Sequence, residues 1–337
     1  MDDKLMVDLR SDTVTRPTEA MRAAMARAPV GDDVYGEDPT VNRLQSHLAE
    51  LLEFEAGLWF PSGTQSNLAA LLTHCGRGDE YLVGQQAHTY KYEGGGGAVL
   101  GGIQPQPIAQ QPDGTLDLEE VEAAIKPVDI HFARTRLFTL ENTIGGKVLP
   151  QAHVTQALAL ARKHGLATHL DGARLFNAAV ASKVPARELT QGFDSVSVCL
   201  SKGLGAPAGT VLVGTNTFIE QARRWRKMLG GGLRQAGVLA AAGLYALEHN
   251  VERLAQDHAN AQALADGLRG IPGIEVEGPH TSMVFVRVPA DRAVQLQAHL
   301  RGHGVLASAA PRMRLVTHLD VDSVGVSQAI AAFKSFF

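Results

Sequence analysis

From Leu137-Phe138-Thr139-Leu140, through Val154-Thr155-Gln156-Ala157-Leu158-Ala159-Leu160-Ala161-Arg162-Lys163-His164-Gly165, to Ala167-Thr168-His169-Leu170-Asp171, two short apolar runs flank a helix candidate that ends on a glycine. Apolar runs of this length read as buried strands, and two strands joined through a helix make a βαβ unit whose strands lie parallel. Outward from it the same rhythm continues: Ala56–Phe60, Glu80–Val83, Ser195–Cys199 and Thr210–Val213 are further strand candidates between helical patterns. That alternation predicts an α/β domain with a mostly parallel central sheet. After Gly237 the pattern changes to one long helical stretch, Val238 to about Arg269, then strands at Ile274–Glu277, Met283–Val288 and Met313–Val316 with helices near Ala293–His303 and at the end. The division expected is a large domain over 1–240, with an N-terminal arm over 1–40, and a smaller α+β domain over 241–337.

With 337 residues, 45% hydrophobic and 20% charged, the chain has a globular composition and a core wide enough to enclose a small-molecule site. Its longest apolar runs, such as Val238–Leu247, fall far short of the roughly 20 residues a membrane-spanning helix needs. Met1–Met6 lacks the basic and apolar regions of an export signal, and Cys75 and Cys199 have no partners for a disulfide framework or zinc pattern. The expectation is a cytoplasmic protein with no resident metal and no membrane association. A net charge of −4 argues against nucleic acid, and the basic run Arg223–Lys227 reads as a solvated helix face or subunit contact. Gly94–Gly97 reads as a turn or close packing point.

Two segments place a charge just beyond a strand: Asp171 in Thr168–Arg174, and Lys202 in Ser197-Val198-Cys199-Leu200-Ser201-Lys202-Gly203. Ligands in parallel α/β sheets bind at the carboxyl ends of strands, so both residues stand where a site belongs. A lysine amine with a carboxylate one crossover away suits a carbonyl cofactor bearing a pyridine nitrogen. Singly, the two also read as loop charges or a structural ion pair. A third segment, Phe60-Pro61-Ser62-Gly63-Thr64-Gln65-Ser66-Asn67, ends a strand in a turn that opens a helix. Its N–H groups and hydroxyls suit a phosphate, although Ser-Gly-Thr is often only a helix cap.

Further stretches complete the pattern: Val7-Asp8-Leu9-Arg10-Ser11-Asp12-Thr13-Val14-Thr15-Arg16-Pro17, Gly31–Thr40, His169–Arg174, Cys199–Gly205 and Arg314-Leu315-Val316-Thr317-His318-Leu319-Asp320. On these the chain resembles, over essentially its whole length, the low-specificity L-threonine aldolases. These are pyridoxal-5′-phosphate (PLP) enzymes of the threonine aldolase and β-eliminating lyase family. The resemblance implies the PLP-dependent transferase fold of type I, as in aspartate aminotransferase. It also implies reversible cleavage of L-threonine, L-allo-threonine and related β-hydroxy amino acids to glycine and an aldehyde such as acetaldehyde.

Residue by residue, the resemblance makes Lys202 the Schiff-base lysine and sets Asp171 on the pyridine nitrogen. Ser62, Gly63 and Thr64 fall at the phosphate, and Ser11, Arg174 and Arg314 at the substrate carboxylate. His88 matches a histidine stacked on the cofactor ring, and His131 a second one near the substrate's β-substituent; either is a candidate for the base that takes the β-hydroxyl proton. Tyr35 and Arg234 match positions by which a neighbouring subunit completes the site, which implies a homotetramer. Tyr92, where some relatives carry Phe, and the run Gly94–Gly97 depart from the pattern close to His88 and bear on the shape of the side-chain pocket. Lone histidines such as His47, His74, His153 and His249 read as structural, and Asp8, Asp12 and Asp32-Asp33 as caps and turns. Other PLP activities, an aminotransferase or a β-eliminating lyase, and a catalytically silent binding protein of the same fold remain rival readings.

Overall fold

The computed structural model describes residues 6–337; the first five, within the stretch examined for an export signal, lie outside the described residues. In chain order its strands are β1 (Val7–Asp8), β2 (Ala56–Phe60), β3 (Asp79–Gly84), β4 (Gln104–Ile108), β5 (Arg134–Glu141), β6 (Ala167–Gly172), β7 (Ser195–Cys199), β8 (Thr210–Gly214), β9 (Glu275–His280), β10 (Met283–Arg287), β11 (Val305–Leu306) and β12 (Arg312–Val316). Seven build the main sheet in the order β2-β8-β7-β6-β5-β3-β4. Strand β8 runs antiparallel to both neighbours, and all other adjoining pairs are parallel, so the expected fold class holds.

Helices cover both faces of this sheet, which is why β3, β7 and β8 are buried at every position, the polar Asp79, Glu80, Ser195 and Ser197 included. Trp59 and Phe60 are wholly buried, each ring contributing roughly 1.5–3 kcal/mol of transfer free energy. Strand β4, absent from the sequence reading, carries Pro105 and Pro107, which pair in register with Tyr81 and Val83. Set two apart, both lack an N–H on the same side of the strand, a pattern tolerated only at a sheet edge. Its composition hid it.

The smaller antiparallel sheet β12-β10-β9 packs with the helices Leu254–Leu268, Ala293–Gly302 and Ser323–Lys334 around a second core. Val7 and Leu9 of the N-terminal arm belong to that core, because β1 pairs in parallel with β11. The helical stretch read as continuous from Val238 is two helices, Gly237–His249 and Leu254–Leu268. The first helix ends at Asn250, whose backbone N–H still donates to Ala246 O at 2.9 Å and whose side chain donates to Leu204 O at 2.7 Å. No helix is long and apolar enough to cross a membrane, among the described residues.

Two long-range contacts tie the arm to the large unit. Asp38, fully buried, caps the helix Pro39–Leu52 through Oδ1, accepting from Thr40 N and Val41 N at 3.1 and 3.0 Å, and through Oδ2 accepts from Gly237 N at 2.8 Å. Position 237 must be glycine, since a Cβ there would lie 2.5 Å from Asp38 Oδ1. Arg226, inside the basic run expected to be solvated, is 2% exposed; it pairs with Asp33 at 2.9 Å and donates to Trp59 O at 2.8 Å. One charge of that run is therefore structural.

Candidate active site

Strands β5, β6 and β7 end side by side, with Glu141 in register with Asp171 and Asp171 with Ser197. Gly172 permits this closeness, because a Cβ there would stand 2.8 Å from Ser197 O. A pocket at these strand ends is lined by Gly63, Asn67, His88, Asp171, Lys202 and Thr210, among others. Asp171 and Lys202 form no ion pair: the Asp171 carboxylate accepts from Asn67 Nδ2 at 2.9 Å and from Ala173 N at 2.9 Å. The structural ion-pair reading of these two residues fails here. Lys202 is instead steadied through its backbone, where its carbonyl accepts from Thr15 Oγ1 at 2.9 Å.

His88 begins the short helix His88–Lys91 and meets the pocket. Its backbone N–H donates to Glu141 Oε2 at 2.7 Å, and its Nδ1 lies 2.7 Å from Glu93 Oε1. The bond to Glu93 outweighs burial and raises the imidazole pKa above its usual value, with Asp171 adding to the effect. Burial raises the Glu93 carboxyl, and the Asp171 charge raises it further against the hydrogen bonds from His88 and Asn67. Glu141 is pushed up to about 7, by burial first and by Asp171 second. Three carboxyl groups thus surround one histidine, and only Asp171 has two neutral N–H donors on separate oxygens. His88, Glu93 and Asp171 also bring three potential metal-ligand atoms within 4.8 Å of one another, but Glu93 Oε1 already meets His88 and Asn67.

The residues expected at the substrate carboxylate come from three distant parts of the chain. Arg174 follows β6, Arg314 lies in β12, and Ser11 precedes a single 3₁₀ turn that it caps at Thr13 N. Asp12, read from sequence as a cap, proves to be the partner of Arg174: Nε–Oδ2 is 2.7 Å and Nη2–Oδ1 is 2.6 Å. Burial opposes ionisation of Asp12, but the charges of Arg174, Lys202 and Arg314 prevail and lower it to about 2. Burial and then the Arg174 charge lower Arg314. The two arginines and Lys202 therefore make one cationic corner around a buried carboxylate.

Ser62 caps the helix Gly63–His74 by accepting from Gln65 N at 3.2 Å, so the simple cap reading of its hydroxyl holds. The first N–H groups of that helix, at Gly63 and Thr64, still point out of its end. Thr210 was read from sequence only as the start of a strand, not as a site residue. Its Oγ1 is buried beside Gly63 without any hydrogen-bond partner, 3.6 Å from where a Gly63 Cβ would stand.

Other expected residues do not converge within one chain. His131 sits on the exposed turn before β5, its side chain 78% accessible and bonded to Asp129 at 2.6 Å. It precedes the amino end of β5 while Glu141 closes the carboxyl end, and the intervening eight-residue strand spans about 23 Å. His131 and His88 therefore stand at opposite edges of the sheet. Tyr35 is 78% exposed, and Arg234, also exposed, reaches Asp32 at 3.2 Å; the Asp33 N–H donates to Arg234 O at 3.0 Å. These two loops form one surface of their own and do not line the pocket. The run Gly94–Gly97 does serve as a turn and packing point: Gly94 and Gly95 take φ of +63 and +68°, and a Cβ on Gly97 would sit 3.3 Å from Leu71.

Comparison with known proteins fits this geometry. The family model described as Beta-eliminating lyase matches residues 8–291. The chain belongs to this family. Among curated relatives it is 55% identical over 331 residues to the low specificity L-threonine aldolase of Escherichia coli (strain K12), covering 98% of this chain and 99% of the relative. It is 44% identical over 341 residues to the low-specificity L-threonine aldolase 1 of Arabidopsis thaliana, covering 97% and 95%. Among solved structures the threonine aldolase of Leishmania major superposes with a TM-score of 0.83 at 21% identity, over 98% of this chain and 99% of that one, which speaks for the fold alone. The family resemblance read from the motifs holds.

For a member of this family the implied cofactor is PLP, and the pocket's donor set fits it. An amine at Lys202 suits an aldehyde, the doubly bonded Asp171 carboxylate a pyridine nitrogen, the His88 imidazole a ring face, and the helix N-terminus a phosphate. The orphaned Thr210 hydroxyl adds an unclaimed polar group facing the same space. No residue lining it contradicts the assignment.

Proposed function

We propose that this chain is a PLP-dependent low-specificity L-threonine aldolase, a carbon-carbon lyase. It cleaves L-threonine, L-allo-threonine and related L-β-hydroxy-α-amino acids reversibly to glycine and an aldehyde such as acetaldehyde. The observation that carries this reading is the single pocket in which Lys202, Asp171 and His88 meet, with the Arg174 and Arg314 corner beside Lys202. The similarity over nearly the full length to relatives named for that activity supports it.

PLP, when bound, supplies the sink for the electron pair of the bond that breaks. The chain's residues do the rest. Lys202 would hold the cofactor through its amine at the pocket wall. Asp171, its two oxygens held by Asn67 Nδ2 and Ala173 N–H, would face the pyridine nitrogen. Ser62, Gly63 and Thr64 hold the phosphate at the helix end. Arg174 and Arg314 with Ser11 fix the α-carboxylate, a planar fork being suited to bidentate grip, so that the Cα–Cβ bond is the one presented for cleavage. Asp12 occupies Nε and one Nη2 proton of Arg174, which leaves Nη1 and the other Nη2 proton for the substrate. His88, committed through Nδ1 to Glu93, keeps Nε2 to take the β-hydroxyl proton directly or through a water. Tyr35, Arg234 and His131 act on the site of a neighbouring copy in a homotetramer; their exposure on surfaces apart from the pocket supports this. Two buried free thiols, Cys75 and Cys199, accord with a reducing cytoplasm.

The test is direct. Purified protein with PLP, given L-threonine, L-allo-threonine or D-threonine, is expected to release glycine and acetaldehyde from the two L substrates, and borohydride is expected to fix the cofactor on Lys202. Lys202→Ala abolishes both. Keto acid or ammonia in place of acetaldehyde would assign the chain to another lyase or transferase activity of the fold.

A further inference from the structure

From Asn67 in the pocket wall a chain of buried polar side chains leads away from the pocket, and beyond Asn67 the proposed chemistry does not use it. His74 Nε2 lies 2.7 Å from Ser195 Oγ, Ser195 Oγ 2.8 Å from His169 Nδ1, and His169 Nε2 3.3 Å from Asn67 Oδ1. Asn67 Nδ2 then lies 2.9 Å from Asp171 Oδ2 and 2.8 Å from Glu93 Oε1. Asn67, His169 and Ser195 are 2, 0 and 0% exposed, so no solvent stands in for a missing bond.

Donor counting gives this chain one polarity. Asn67 has two amide hydrogens and two carboxylate oxygens within reach; turned over, its Oδ1 would face both carboxylates, which no buried amide tolerates. With the amide so set, Oδ1 must accept, and His169 is the donor through Nε2. Burial lowers His169 to about 3, the His74 charge adds to this, and the backbone of Ser195 opposes it only in part, so the ring is neutral. A neutral imidazole has one N–H, so Nδ1 must accept, and the Ser195 hydroxyl donates to it. That spends the Ser195 hydrogen, and His74 Nε2–H donates to Ser195 in turn. Every bond points toward Asp171 and Glu93.

We propose that Asn67 is a positioning residue that divides its two amide hydrogens between the carboxylate beneath the cofactor ring and the carboxylate behind His88, with His169 and Ser195 locking its orientation. The two carboxylates belong to different tasks, one to the ring nitrogen and one to the proton-accepting histidine. A single amide sets both, so a change at either is felt at the other. The inference rests on the proposed function for its consequences, but the hydrogen-bond polarity stands in the protein without cofactor.

Two experiments test it. In ¹⁵N-histidine-labelled wild-type protein without PLP, His169 is expected as the Nε2–H tautomer with Nδ1 unprotonated; the opposite tautomer, or a protonated ring at neutral pH, overturns the proposal whatever the enzyme's activity. In the PLP-loaded enzyme, Asn67→Ala is expected to lower kcat on the order of 10- to 100-fold with KM changed by less than about 3-fold, and to move the visible absorbance of the lysine-bound cofactor. His169→Leu is expected to lower kcat by about 10-fold, and His169→Gln, whose amide replaces the Nε2 donor, to recover most of that loss. In a double-mutant cycle, Asn67→Ala and Glu93→Gln should cost less together than the product of their separate effects. Multiplicative losses with unmoved absorbance overturn the shared-amide role and leave Asn67 a packing residue. A wild-type enzyme that takes up no borohydride-trappable PLP instead refutes the functional reading, and the tautomer measurement still judges the chain of bonds.

Discussion

Asp12 and Arg174, 162 positions apart, meet as a fork-to-fork pair with both contacts at or below 2.7 Å, Asp12 being 1% exposed. The pair joins the N-terminal arm to the loop after β6, and so makes the arm part of the substrate corner. Removing one member of a buried pair leaves the other charge uncompensated, at a cost of about 3–5 kcal/mol. Asp12→Asn is therefore expected to lower the denaturant midpoint markedly. Because the fork of Arg174 loses its anchor, KM for the amino acid should rise about 10-fold, more than kcat falls. A variant with normal KM would detach Asp12 from substrate positioning and leave it a purely structural anchor.

Thr210 offers the opposite case. Its hydroxyl is wholly buried and unpartnered in the pocket beside Gly63 and Lys202. A buried hydroxyl without a bond costs stability, so Thr210→Val should leave the cofactor-free protein as stable or more stable, by up to about 1–3 kcal/mol. If the hydroxyl serves the cofactor, the same variant binds PLP about 10-fold more weakly. Calorimetry of the cofactor-free form and fluorescence titration with PLP separate the two effects. Unchanged PLP affinity would show that the group faces the pocket without use.

How far these features were legible in sequence follows from how local their causes are. Asp171 and Lys202 stood out because Asp171 directly follows the strand candidate Ala167–Leu170 and Lys202 stands three residues beyond Ser195–Cys199, a strand buried at every position. Strand β4 escaped because Pro105 and Pro107 mask an edge strand, and the helix end at Asn250 because its side-chain partner is a carbonyl 46 positions away. Asn67, Glu93 and Asp12 gained meaning only from partners brought up by the fold, and Thr210 only from the pocket it faces: Asn67 alone reaches 26, 102 and 104 positions along the chain. No spacing rule marks such a residue. A buried helical Asn directly after a phosphate-turn motif was the one available hint. Arg226 misled because three neighbouring charges hide the one that turns inward.

Acid stability follows from the same buried groups. Burial lowers His169 to about 3 and His74 to about 4, from 6.5 for the free imidazole. Between those values and 6.5 the unfolded chain binds protons that the folded chain refuses, so each contribution is lost as pH falls through the window. Glu141, raised from 4.5 to about 7, works the other way: its contribution is present below 4.5 and lost as pH rises through 7. It offsets one histidine down to 4.5 and no further. Asp12, lowered from 3.8 to about 2, adds its own loss below 3.8. Urea midpoints are thus expected to fall most steeply below about pH 4.5, and His169→Gln to flatten that fall. An unchanged slope in the variant would mean that His169 titrates normally in the fold.

The position of His131 yields a test of shared sites. In one chain it lies at the far edge of the sheet from His88, separated by the eight-residue β5, about 23 Å along the strand. A direct part in the reaction requires that it come from another copy, whose exposed turn would present His131 to the neighbouring pocket. Lys202→Ala subunits keep His131, and His131→Ala subunits keep Lys202, so each variant is impaired alone. Unfolded together and refolded as mixed oligomers, they should regain activity well above the sum of the two, since some pockets then hold Lys202 from one subunit and His131 from the other. The gain should follow the fraction of mixed oligomers separated by charge-tagging one variant. Mixed oligomers that form without any gain would remove His131 from the chemistry and leave His88 as the sole histidine at the reacting hydroxyl.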